Sequence, residues 1–252
     1  MIKDINCFYF SPSGDTEKIV TTVAKDLARN LKDLSPDEIM VNFCDVLKNP
    51  MQGEKTFSQE SVLVIGAPAI MGQLPQECVE MLDLMNGDGA AVVAVICHPG
   101  HGYGDALYEL YTRLRGKQFN VVSAAAFLSR HSAIANGGED RPDERDFRAV
   151  ARFGRVTSSK LKRLFAADRD FFGIKQAPLN ISGSMPIKPG VRIGTVSYDV
   201  NDCADFDPQE VDIERGAIAS PYARAYMSPI VNAWEVMSEK LLSRRKEPEI
   251  FV

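Results

Sequence analysis

The sequence predicts an α/β fold, a doubly wound sheet of five parallel strands followed by a C-terminal extension. Three observations predict it. Five short apolar runs recur along the first half of the chain, stretches with a helical stride separate them, and several runs are apolar on consecutive residues instead of alternating. Strands covered by helices on both faces must read that way.

Taken in order, Ile5 to Phe10 is the first run, and Ile19, Val23, Leu27 and Leu31 follow it at a helical stride. Ile39 to Phe43, Ser61 to Ala67, Ala91 to Cys97 and Asn120 to Phe127 are the other four, with Ala106, Leu110 and Leu114 repeating the stride before the last. Arg141-Pro142-Asp143 then opens a helix with proline in its first turn and acids at the positive end of its dipole, running through Phe147, Val150, Leu161 and Leu164. A domain over 1–167 results. The extension, 168–252, turns Pro-, Gly- and Ser-rich from Phe171 to Gly194. Val191 to Val200 is suited to strands, and Ile230, Trp234, Met237 and Leu241 line a last amphipathic helix in which Trp234 reads as core.

Composition narrows the function. The 252 residues are 45% hydrophobic and 25% charged, enough for a substantial core. Twenty-nine Lys and Arg against 34 Asp and Glu leave a net charge of -5, without the basic footprint of a nucleic-acid binder. The opening Met1-Ile2-Lys3-Asp4-Ile5 has charges where a secretory signal needs an apolar run, and no stretch approaches the roughly 18 apolar residues of a membrane span. A soluble, cytoplasmic protein without a membrane partner is expected. Its cysteines, Cys7, Cys44, Cys78, Cys97 and Cys203, are odd in number and scattered, as reduced core cysteines are.

The turn Ser11-Pro12-Ser13-Gly14-Asp15-Thr16 lies between the first strand and the first helix. Such a turn brings free backbone N–H groups, hydroxyl donors and the positive end of a helix dipole to one point, which suits a phosphate monoester. The plain alternative is that Ser13 or Asp15 caps the helix. A P-loop lysine and the spaced glycines of a dinucleotide fingerprint are both missing.

Ser11, Ser13, Gly14 and Thr16 match the phosphate loop of the flavodoxin superfamily, which this chain resembles. It is most similar to the flavodoxin domain of the ferredoxin-containing flavodoxin-like family. The matching stretches are Gly66-Ala67-Pro68-Ala69-Ile70-Met71-Gly72-Gln73-Leu74-Pro75, Tyr103-Gly104-Asp105-Ala106-Leu107, Ala124-Ala125-Ala126-Phe127 with His131-Ser132, and Arg141 to Asp146. The resemblance implies strand order 2-1-3-4-5 and FMN as cofactor. It implies phosphate contacts at Ser11, Ser13, Gly14, Asp15 and Thr16, and places the flavin ring between Pro68, Ala69, Ile70, Met71, Gly72 and His98, Pro99, Gly100, His101, Gly102, Tyr103.

Two departures stand out. Ile70 replaces a tyrosine that the family places on the third-strand loop, leaving Tyr103, exposed by its glycine-rich loop, as the expected stacking residue. The ferredoxin cysteines are missing, since Cys203 is the only cysteine after Cys97, so no iron-sulfur cluster is expected. Cys97, His98 and His101 lack a fourth ligand, and no metal site is expected; His131 reads as a structural hydrogen-bonding residue. The reading that follows is an FMN flavoprotein in electron transfer, or an FMN-dependent oxidoreductase acting on a small substrate, with a separate redox partner protein and homo-oligomerisation left open. Its rival is a flavin-free binding or scaffold module.

Overall fold

The structure, a computed structural model, describes residues 1–100, 102–130, 141–167, 178–183 and 248–252. The elements are β1 (Asp4–Tyr9), α1 (Asp15–Leu31), β2 (Met40–Asp45), β3 (Ser61–Pro68), α2 (Gln76–Asp83), β4 (Ala91–His98), α3 (Ala106–Gly116), β5 (Asn120–Leu128), α4 (Glu144–Ala167) and β6 (Glu249–Phe251). The main sheet runs β2-β1-β3-β4-β5-β6. Its first five strands are parallel and in the expected order. The sixth is antiparallel to β5, with Ala124 opposite Phe251 and Ala126 opposite Glu249.

Burial explains the pattern of the runs. Every residue of β3 and β4 is buried, because helices cover both faces of the sheet centre. Alternate residues serve two cores: Phe8, Leu63, Ile65, Val92 and Ala94 meet Leu82 and Leu110 of α2 and α3, while Cys7, Val62, Val64, Val93 and Val95 meet α1 and α4. At the edge, β2 exposes Met40 and Phe43. Helix α1 lies close on the sheet at Gly66, where a Cβ would stand 2.1 Å from Val20 Cγ2. That approach sets the helix N-terminus against the strand ends.

Helix α4 differs from expectation at its start. Asp143 is the capping residue, its Oδ1 accepting the amides of Arg145 and Asp146, and Asp146 returns a bond by accepting the Asp143 amide at 2.8 Å. Pro142 therefore precedes the cap instead of occupying the first turn. The helix is fastened to β5 twice. Val122 is the extra residue of a bulge in β5, and its carbonyl accepts Lys160 Nζ at 2.6 Å. Next to it the buried hydroxyls of Ser123 and Thr157 bond at 2.9 Å.

The extension is partly joined to the domain. Leu179 and Ile181 pack on the α2–α3 side, as does Phe251, and β6 completes the sheet. The expected strands over Val191 to Val200 and the helix carrying Ile230, Trp234, Met237 and Leu241 lie outside the described residues.

Candidate functional site

Loops at the carboxyl ends of four parallel strands meet at one edge of the domain, stitched by backbone bonds. Ala69 donates to the Cys97 carbonyl at 2.8 Å, Ser129 to the His98 carbonyl at 2.9 Å, and Asp105 to the Gly72 carbonyl at 2.8 Å. Ligands of doubly wound folds bind at this edge, beside the strand where the order reverses, which here is β1.

In the turn after β1, neither Ser13 nor Asp15 caps α1. Gly14 is the capping residue, with φ +78°, and Ser11 Oγ accepts the Glu17 amide at 2.9 Å. The Gly14 amide donates to the Ser11 carbonyl at 3.3 Å. Among the described residues, the amides of Ser13, Asp15 and Thr16 have no acceptor. Thr16 is buried, and its hydroxyl holds the Cys97 thiol, which burial pushes up to about 12, lower than it would otherwise stand. Asp15, 1% exposed, is held by a partner the sequence reading missed: Arg130 grips it through Nε at 2.8 Å and Nη2 at 3.1 Å. The only sequence signal for Arg130 is its place, a cation directly after the fifth strand.

The loop after β3 turns at Met71-Gly72. Ile70 and Gln73 bond each other in both directions at 3.0 Å, and Met71 and Gly72 have φ of +51° and +78°, the signature of a two-residue type I′ turn. Ile70, 6% exposed, faces the core, whereas Met71 stands 49% exposed at the tip. Pro68 is buried and Ala69 half-buried. The loop is anchored from below by Glu109 on α3, which accepts the Leu74 amide at 3.1 Å and pairs with Arg113 at 2.9 Å. Glu109 was also missed, although it lies beside the apolar stripe of α3.

The loop after β4 folds against the first. A Cβ on Gly104 would stand 2.6 Å from Gly72 Cα, so the two backbones touch where only glycine fits. Gly100 and Gly102 both adopt φ +99°. His98 is buried and its Nδ1 accepts the Gly100 amide at 3.3 Å, which puts the proton of the neutral ring on Nε2. Pro99, Gly100 and Gly102 are half-buried, and His101 lies outside the described residues.

Tyr103 departs from expectation. The structure buries it, 9% exposed, with its ring 5.5 Å from that of His98 and its hydroxyl donating to Glu249 of β6. Burial and the neighbouring carboxylate push its phenol well above the usual range. Arg141 and Asp146 pair with each other, His131-Ser132 lies outside the described residues, and no group of three His, Cys, Asp or Glu side chains could hold a metal among the described residues. Nor is any helix there long and apolar enough to cross a membrane.

Strand order 2-1-3-4-5 with α1 and α4 on one face and α2 and α3 on the other defines the flavodoxin-like fold, and this chain has it. Neither a family model nor a curated relative matches the sequence. Among solved structures the chain is similar to oxidised flavodoxin 1 from Bacillus cereus, at 17% identity and TM-score 0.47, over 62% of this chain and 98% of that one. It is also similar to a flavodoxin from the domain Archaea, at 15% and 0.42, over 63% and 99%. A third is the rubredoxin oxygen:oxidoreductase of Desulfovibrio gigas, at 15% and 0.44, where 66% of this chain covers 37% of the other.

Proposed function

We propose that the chain is a flavodoxin-like FMN protein, passing electrons to a separate partner protein or a small substrate. One observation carries the reading. The turn Ser11–Thr16 presents the unpaired amides of Ser13, Asp15 and Thr16 at the positive end of a 17-residue helix, at the carboxyl end of β1. A phosphate monoester supplies the acceptors that such a turn lacks. Bound FMN would supply the one- and two-electron chemistry, while the chain supplies binding and orientation.

The phosphate end fits the group well. On the ring side, Met71 offers an exposed thioether, a soft surface suited to a flat aromatic, at the tip of a turn whose shape is fixed by Gly72. Since Gly72 and Gly104 touch, a ring has to lie along the two loops and not between these glycines. Tyr103 being buried, the fourth-strand contribution falls to Pro99, Gly100 and Gly102. The buried thiols of Cys7, Cys78 and Cys97 suit a reducing compartment, the cytoplasm.

Titration of apo-protein with FMN and riboflavin, followed by flavin fluorescence and the visible spectrum, tests this. FMN should bind more tightly by several kcal/mol, on the order of the hydrogen bonds a charged phosphate would lose. Equal affinities would remove the phosphate-loop argument. Failure to bind either favours the flavin-free scaffold, the reading that the contact between Gly72 and Gly104 supports.

A further inference from the structure

Arg130 stands 115 positions along the chain from the aspartate it grips. Its Nε donates to Asp15 Oδ2 at 2.8 Å, its Nη2 to Oδ1 at 3.1 Å and to the Ser13 carbonyl at 3.4 Å, and its own amide reaches Oδ2 at 3.4 Å. The two side chains are unequally placed: Asp15 is 1% exposed and Arg130 31%. The carboxylate is thus committed and desolvated. The guanidinium is anchored along one edge and open along the other, where Nη1 has no partner among the described residues.

This arrangement has an electrostatic consequence for an anion. A buried carboxylate inside a turn of amide donors would repel a phosphate, and Arg130 cancels that charge. Lys18 also approaches Asp15, at 3.3 Å, but from an exposed position and as a point charge. A planar guanidinium can serve two oxyanions from two edges at once, which an ammonium cannot do with the same geometry.

Resting on the reading of Ser11–Thr16 as a phosphate turn, we infer that Arg130 is the specificity-determining cation of the site. It selects ligands that end in a phosphate monoester, meeting the phosphate through its Nη1 edge while Asp15 fixes the opposite edge. Asp15 is then a positioning residue, and the charge reaches the turn from the far side of the sheet.

The test measures FMN and riboflavin affinity at low and high salt for the parent, R130M, D15N and the double variant D15N/R130M, with thermal unfolding of each apo-protein. The double variant leaves no unpaired buried carboxylate, so it keeps the test open if R130M does not fold. R130M should lose about tenfold or more in FMN affinity and little in riboflavin affinity. The salt dependence of FMN binding should become shallower, a change that mere support of the turn would not produce. D15N should lose part of the FMN affinity, less than R130M, because the guanidinium keeps its charge but not its fixed edge, and the double variant should stay weakened.

If the double variant binds like the parent, Arg130 only cancels Asp15 and the inference fails. It fails equally if R130M loses both flavins alike, or keeps FMN at parental affinity and salt dependence, while the FMN reading survives. A parent that binds neither flavin overturns both.

Discussion

The phenol of Tyr103 donates to the carboxylate of Glu249 at 2.5 Å, across 146 positions of the chain. The bond joins the loop after β4 to the strand that closes the sheet. Tyr103 therefore acts first on stability. Tyr103→Phe should cost about 1 kcal/mol, the net worth of a hydrogen bond whose acceptor can be rehydrated. Tyr103→Ala should cost about 3 kcal/mol, since the ring packing goes as well. Denaturant unfolding checks the order, and equal costs would mean that the ring contributes nothing.

Alkaline pH should loosen the same region. Burial and a carboxylate raise the phenol of Tyr103, and burial with Glu17 raises that of Tyr9. A phenol whose folded value exceeds the unfolded one stabilises fully below the unfolded value, about 10, and that stability is lost as pH rises beyond it. Unfolding midpoints should hold to about pH 9.5 and fall above it. The Y9F/Y103F double variant should fall less steeply, and an identical slope would remove the two phenols as the cause.

The contact between the two loops gives a sharper steric prediction. A Cβ on Gly104 would meet Gly72 backbone at 2.6 Å and 2.8 Å, at φ +53°. Gly104→Ala should destabilise by about 1–3 kcal/mol, because backbone cannot step aside as a side-chain end can. Gly116→Ala, with nothing within 4 Å of its Cβ, is the control and should be neutral or slightly stabilising.

The hydroxyl pair of Ser123 and Thr157 should show strong non-additivity. Thr157→Val strands the buried Ser123 hydroxyl and should cost about 1–3 kcal/mol. Adding Ser123→Ala should recover part of that loss, because neither side then keeps an unsatisfied group. A double variant as unstable as the sum of the singles would show that the two do not interact.

The parts legible in the sequence are those whose causes are local. Strands β3 and β4 announce themselves because both faces are covered, so no polar residue interrupts them. The turn Ser11–Thr16 is legible from composition. Strand β6 is not, since Glu249-Ile250-Phe251 carries no pattern of its own and becomes a strand only on the outer edge of β5. Arg130 is hidden for the same reason: an ion pair 115 positions apart leaves no periodicity. Ile70 and Met71 are adjacent apolar residues with opposite fates, decided by a two-residue reversal and a left-handed φ that neither residue type signals.

The antiparallel strand at the end of the sheet also governs how copies of this chain can associate. Because β6 covers β5 only over Ala124 to Ala126, the main sheet has two margins among the described residues, β2 on one side and the three-residue β6 on the other. A sheet with two open margins can add neighbours at both sides and grow into a fibre. A margin of three residues offers too short a ladder for such growth, so association through the longer β2 edge, β2 joined to β2, is a closed two-fold pairing.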